Sequence, residues 1–368
     1  MTRPPRIELR RQQPAPPPAA EPGDPRLVEL LRSEIEGAGP ITFARFMQLA
    51  LYAPGLGYYA TSAERATRDG DFLTAPELHP IFGRVLARQI EEMRQRLGTP
   101  RGFVVREHGA ARQVLRTAMP DGVRYEAIEH ADDHSLAPMV GCILANELLD
   151  ALPVHRVVMR DGTLREVYVG WRDGRFTDVE GKPSTAALGE WFAASGVELG
   201  DGQRAEACLV IGAWLARATA PLERGYVLLI DYADQPAALY GAARRDGTLR
   251  AFRGHQVGRD VLATVGRQDL TATVDLAALD RAARAAGLVH LGTTTQAEFL
   301  VGCGLEEELE TERERVAGDW QAMALLRAAV ARLLDPRQLG GYKVAIYGRD
   351  VPPEPPLRGL AYRLPDAR

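Results

Sequence analysis

The sequence predicts an α/β fold with a mostly parallel sheet. Three observations carry that expectation. First, Phe103-Val104-Val105, Cys142 to Ala145 and Tyr226 to Ile230 are short unbroken apolar runs, the pattern of strands buried on both faces. Second, each run stops at a polar cluster: Arg106-Glu107-His108-Gly109, Asn146-Glu147 with Asp150, and Asp231-Tyr232. Third, helical stripes alternate with these runs along the chain, as strand–helix–strand crossovers require. In such sheets ligands bind just beyond the carboxyl ends of the strands, where the polar clusters fall.

Composition narrows the class. The 368 residues exceed one average domain, and 46% hydrophobic with 26% charged residues is ordinary for a soluble globular protein. The formal net charge of -4 gives no basic footprint, so no nucleic-acid partner is expected. Cys142, Cys208 and Cys303 lie far apart, which argues against a disulfide framework or zinc knuckle and fits a reducing, cytoplasmic compartment. No 18-residue apolar run exists, so no membrane span or membrane partner is expected. The arginines near the N-terminus have no apolar segment behind them and do not read as a secretory signal.

In chain order, residues 1–25 form a Pro/Arg-rich tail too poor in apolar side chains to order itself. Asp24 and Pro25 then open a helix with a Leu27, Leu30, Leu31, Ile35 stripe. A Gly/Pro turn follows over Tyr52 to Tyr59, with aromatics that fit a core or pocket wall, and Gly70 to Glu77 forms a loop. Pro80 opens a helix with Phe82, Leu86, Ile90, Met93 and Leu97 on one face, ended by Gly98. Tyr125 to Ile128 is a second strand. Its following Glu129 stands 20 residues after Gly109, the spacing of a glycine turn and a ribose-binding acid.

Asp161-Gly162 marks a hairpin between Val154–Arg160 and Leu164–Gly170. Residues 172–203 read as irregular, and an Ala-rich helix runs to about Thr219. Gly247 to Phe252 is a short strand followed by His255. Asp269 to Asp275 leads from strand to helix, and Thr295 with Glu298 fits a capping box. One long helix is expected over 307–334, and Gly340 to Tyr347 reads as a last strand at the far end of the sheet.

Several of these blocks together resemble one family, the MidA-like class I methyltransferases. The matching blocks are the Tyr52–Tyr59 turn, Gly70-Asp71-Phe72-Leu73-Thr74-Ala75-Pro76-Glu77 and Asn146-Glu147-Leu148-Leu149-Asp150-Ala151-Leu152-Pro153. Further on they are Ile230-Asp231-Tyr232, Gly247 to Arg250, Asp269 to Asp275 and Lys343-Val344. Relatives in that family include the mitochondrial complex I assembly factor reported as a protein arginine methyltransferase. The resemblance covers about residues 30–348. It implies a Rossmann-like methyltransferase core over 101–350 with an insertion at about 154–203, an N-terminal helical cap over 26–100 and a C-terminal tail over 351–368. It also implies S-adenosylmethionine (SAM) as cofactor, held by Glu107, Gly109, Ala111, Glu129, Thr74 and Pro76. The methyl acceptor, a protein arginine or a small molecule, would lie at Asn146, Glu147 and Asp150, with Glu77, Tyr58, Asp231 and His255 lining the pocket. No metal is implied, and a homodimer would be in keeping with the fold.

The donor side departs from the family pattern. A glycine-rich loop of the type Glu-x-Gly-x-Gly-x-Gly is here Glu107-His108-Gly109-Ala110-Ala111-Arg112-Gln113. Alanine at 111 adds a Cβ where backbone should approach the ligand. Pro120-Asp121-Gly122 shortens the next helix. The stretch from Glu129 to Ile143 is too short for the usual helix, strand and loop, so one strand is expected to be missing. Two readings follow: a SAM-dependent methyltransferase with a shortened donor site, or a repurposed or non-catalytic relative that has lost SAM. His130 and His134, beside Glu129, Asp132, Asp133 and His108, have the spacing of metal ligands on a helix. A solvated helix start explains them better. Thr74 and Glu77 suit either pocket lining or capping of the Pro80 helix.

Overall fold

The computed structural model describes residues 23–65, 74–110, 112–129, 136–253 and 256–364. The N-terminal tail, Gly70 to Leu73, Ala111, the His130–His134 pair and His255 lie outside the described residues.

A six-stranded sheet forms the centre: β1 (Val104–His108), β2 (Arg124–Ile128), β3 (Met139–Asn146), β4 (Leu222–Asp231), β5 (Val289–Thr295) and β6 (Lys343–Arg349). Their spatial order is β5-β6-β4-β3-β1-β2. β2, β1, β3 and β4 run parallel; β6 is antiparallel to β4, and β5 is antiparallel to β6. The carboxyl ends of the first four strands therefore share one edge. The chain order reverses between β1 and β3, so the switch point at which such sheets take ligands falls between Glu107–Gly109 and Asn146–Asp150.

Close packing at the other edge depends on two facing glycines. Gly141 of β3 pairs with Gly225 of β4. A Cβ on Gly141 would sit 1.9 Å from the Val104 carbonyl oxygen, so no other residue fits there.

Helices cover both faces. Pro80–Arg96 packs on one side with Gln296–Gly302, Leu305–Arg315 and Trp320–Leu334, around Phe82, Ile90, Phe103, Leu144 and Phe299. Ile211–Thr219 and Leu276–Ala285 pack on the other, around Ile143, Val227 and Leu279. A second, antiparallel sheet carries the expected hairpin, His155–Arg160 with Thr163–Arg172, and Asp161 and Gly162 both take the positive φ of a tight turn. The N-terminal helices Pro25–Ala38 and Phe43–Tyr52 pack against this sheet through Leu27, Leu31, Phe43 and Phe46.

The donor-side erosion is structural. A 3-10 turn, Val114–Ala118, replaces a helix between β1 and β2. Among the described residues no strand lies outside β2, which is the sheet edge.

Five expectations need correction. Residues 172–203 are regular in part, with a strand at Arg175–Gly181 and a helix at Ala187–Ser195. The helix expected over 307–334 is two helices, broken where Gly318 turns left-handed and Asp319 caps the second. β6 is not terminal, because β5 adds beyond it; its Thr-rich, half-exposed sequence hid β5 from pattern reading. Leu30 faces solvent, one position off the stripe. Thr74 and Glu77 do not cap the Pro80 helix. They form the capping box of their own short helix, Ala75–Leu78, and His79 Nδ1 accepts from Ile81 N at 3.1 Å to cap the next.

Candidate active site

The Asn146–Pro153 block leaves β3 through one unusual residue. Glu147 has φ 53, a left-handed conformation that is rare for a side chain of this size. It still donates its N–H to Ile230 O at 2.8 Å, so the ladder to β4 survives the bend. The turn is then anchored from β4. Asp231 Oδ2 accepts the N–H groups of Leu148, Leu149 and Asp150 at 3.1, 2.7 and 3.2 Å, and Oδ1 accepts Tyr232 N at 2.7 Å. Both oxygens of Asp231 thus face backbone, the arrangement of an anchor.

The Thr74–Glu77 turn closes over this block. Ala75 N donates to Glu147 Oε1 at 3.0 Å, and Asn146 Nδ2 donates to the same oxygen at 2.9 Å. Glu77 Oε2 holds Thr74 N and Oγ1 at 3.3 and 3.1 Å. Its Oε1 meets Arg112 Nε at 3.5 Å, so the turn after β1 and the turn before the Pro80 helix are tied across the crevice. Pro76 is buried beneath.

On the donor side, Glu107 and His108 are buried at the end of β1, and Gly109 turns at φ 71. Tyr125 of β2 donates its hydroxyl to Glu107. Burial pushes Glu107 up to about 7, against that hydrogen bond, with Glu129 adding to the rise. Burial pulls His108 down to about 4, so it is neutral, packed edge-on to Trp214. Glu129 stands exposed past β2. A Cβ on Gly109 would lie 2.6 Å from Leu148 Cδ1; the glycine lets the two turns approach.

On the acceptor side, Asp150 is buried beside Asp231, Asp269 and Glu147, and burial first, then these charges, raise it well above the usual carboxylate range. Four backbone N–H groups favour the charge on Asp231, which burial pushes up to about 7. Asp231 is therefore the anion of the pair and Asp150 holds the proton. Glu147 rises to about 8, chiefly by burial. Tyr59 OH donates to Asp269 Oδ1 at 2.9 Å, Tyr52 OH donates to Ala151 O at 3.0 Å, and the two rings stack 5.5 Å apart. Tyr58 meets Tyr59 edge-on.

Sequence reading did not place Tyr125, Asp269 or Arg112 in the site, and it took Tyr52 and Tyr59 only as core or pocket wall. Asp269 lay inside a recognised block, but only the fold brings it 119 positions across to Asp150.

These residues fit a cationic, diol-bearing cofactor. Asn146 Oδ1, Glu147 Oε2 and His108 Nε2 are buried and take no hydrogen bond among the described residues, so each is ready for a ligand. Carboxylates held protonated by burial gain a partner when a cation enters. Among the described residues no His/Cys/Asp/Glu cluster has the makings of a metal site.

The comparisons with known proteins point the same way. The chain is 26% identical to a Drosophila melanogaster protein named protein arginine methyltransferase NDUFAF7 homolog, mitochondrial, over 91% of this chain and 87% of that one. It is 25% identical to the Homo sapiens protein arginine methyltransferase NDUFAF7, over 88% and 83%. A Burkholderia thailandensis protein, described as a "likely methyl transferase" and crystallised with S-adenosyl-homocysteine, matches with TM-score 0.80 and 28% identity, over 91% of this chain and 94% of that chain. Residues 110–294 match the family described as "Putative S-adenosyl-L-methionine-dependent methyltransferase". With its class I sheet, its acidic and amide groups at the ends of β1, β3 and β4 and half its length inside that match, the chain belongs to this SAM-dependent methyltransferase family.

Proposed function

We propose that the protein transfers a methyl group from SAM to an arginine side chain of a protein. The observation that carries the choice of acceptor is the group Asp150, Asp269, Tyr52 and Tyr59. Two carboxylates beside a stacked aromatic pair suit a planar guanidinium, which pairs with carboxylates and lies on ring faces. The names of the Drosophila and human relatives support the same acceptor.

SAM would be held by Glu107, Gly109 and Glu129 on one side and Asn146 and Glu147 on the other. When bound, it supplies an electrophilic sulfonium methyl for in-line transfer. The chain's own residues position the partners, which is the larger part of such catalysis. Asp231 fixes the 148–150 turn. Asp150 gives up its proton as a guanidinium docks, because the cation lowers its pKa. Its carboxylate then orients the acceptor nitrogen and takes the proton that nitrogen loses. The Thr74–Glu77 turn, tied to Glu147, keeps water from the crevice.

A relative stripped of SAM chemistry fits less well, since it gives no reason for three unpartnered polar atoms in the crevice. A cytoplasmic location, where three free cysteines stay reduced, and a homodimer belong to the same proposal.

The test is transfer of label from methyl-labelled SAM to extracts of cells lacking the gene, followed by complete hydrolysis. Label in methylarginine, lost with Asp150→Asn, is expected. Label in another residue, or only in small molecules, would overturn the acceptor. Absence of SAM binding at millimolar concentration would overturn the activity.

A further inference from the structure

We propose that Arg112 recognises the α-carboxylate at the methionyl end of SAM, giving up Glu77 to do so. The inference rests on the cofactor reading above.

A SAM molecule has three arms at its sulfur. In that reading the adenosyl arm would lie toward Glu129 past β2 and the methyl toward Asp150. The third arm ends in an ammonium and a carboxylate. Around it the strand ends present Glu107, Asp150 and Asp231, all buried, and the half-buried Glu147. These acids suit the sulfonium and ammonium and offer the carboxylate no positive charge. A cation is needed, and it has to come from the turn itself.

Arg106 does not meet the need. It is 1% exposed, and its Nε and Nη2 go to Glu126 Oε2 at 2.8 Å and Ala137 O at 3.2 Å; its Nη1 is buried without a hydrogen bond, but the side chain is tied to β2 through Glu126. Arg112 does. It lies in the turn after β1, where Gln113 N bonds Ala110 O at 2.7 Å and Gln113 itself is left-handed at φ 54. Its side chain reaches over the crevice to Glu77.

That pair is built to exchange. The Nε–Oε1 distance of 3.5 Å exceeds the roughly 2.7–2.9 Å of a strong charge-assisted bond. The side chains keep 41% and 19% of their exposure, so water already competes. Glu77 uses its other oxygen for Thr74 N and Oγ1, so the covering turn survives the loss of Arg112. Where small residues would leave the carboxylate to backbone N–H groups, this chain offers a guanidinium fork, which binds carboxylates in two-point fashion.

The experiment compares two ligands by calorimetry on the full chain. S-adenosylhomocysteine has the amino-acid end; 5′-methylthioadenosine lacks it. The wild type is expected to bind the first at least about tenfold tighter. Arg112→Ala should lose that margin, weakening S-adenosylhomocysteine about tenfold while leaving 5′-methylthioadenosine within twofold. Arg112→Lys should recover part of it. Glu77→Gln, which removes the competing carboxylate, should hold or raise S-adenosylhomocysteine affinity. Equal weakening of both ligands in Arg112→Ala, no weakening of either, or a matching loss in Glu77→Gln would overturn the proposal and leave the pair a structural tie. A wild type that binds both ligands equally overturns it as well. A wild type that binds neither at millimolar concentration overturns the cofactor reading beneath it.

Discussion

Asp231→Asn separates the residue that holds the site from the residue that uses it. The carboxylate is buried and accepts four backbone N–H groups, three on Oδ2 and one on Oδ1. An amide has one acceptor oxygen. With that oxygen turned to residues 148–150, its NH2 faces Tyr232 N–H, and a buried donor is orphaned at a cost of about 1–3 kcal/mol. The three remaining bonds lose their charge, about 1 kcal/mol each by the difference between charged and neutral hydrogen bonds. Relief of repulsion with Asp150 is small near neutral pH, because Asp150 already carries the proton. The net expectation is about 4–6 kcal/mol of lost stability, with weakened SAM binding as the turn relaxes. Guanidinium denaturation at pH 7, with and without saturating S-adenosylhomocysteine, measures it. A loss below about 1 kcal/mol, together with a hundredfold fall in kcat and unaltered KM, would refute the anchoring role and move Asp231 among the reacting groups.

The other predictions concern chemistry, pH and packing. Asp150→Asn should lower kcat by about 10²–10⁴-fold with the fold intact, since the amide oxygen can still accept the Ala151 N–H; more than a third of wild-type kcat would remove Asp150 from proton transfer. Glu107 and Glu147 are raised to about 7 and about 8, so their stability is fully present below the ordinary carboxylate range and is lost as pH rises through 7 and 8. The melting temperature of the ligand-free protein should therefore fall between pH 5 and pH 8.5, and Glu147→Gln should flatten the upper part of that fall; an identical slope in the variant would show that Glu147 does not titrate there. Gly141→Ala should cost about 3 kcal/mol or more, because its Cβ meets the Val104 carbonyl oxygen at 1.9 Å; a soluble variant of unchanged stability would contradict the strand spacing.

Much of this was legible before any coordinates. Buried parallel strands announce themselves as apolar runs, and Cys142 to Ala145 and Tyr226 to Ile230 do so because both faces are covered. Tight turns announce themselves in the residues that tolerate positive φ, as at Asp161-Gly162. The Asn146–Pro153 block and its place at a strand end follow from the same local rules, and a count of residues foretells that no strand among the described residues lies beyond β2. β5 did not, because an edge strand needs no apolar run, and Val289 and His290 lie open to solvent.

What the sequence alone determined is the fold class, the family pattern and the location of the chemistry. What only tertiary structure decided is the division of labour. Asp150 and Asp231 look alike in sequence, yet one accepts four N–H groups as an anion and the other is left protonated among acids. Arg112 reads as an intruder in a glycine loop until Glu77, 35 positions away, is found facing it. Burial and partners set the charge of a side chain, and both are properties of residues brought together from distant parts of the chain.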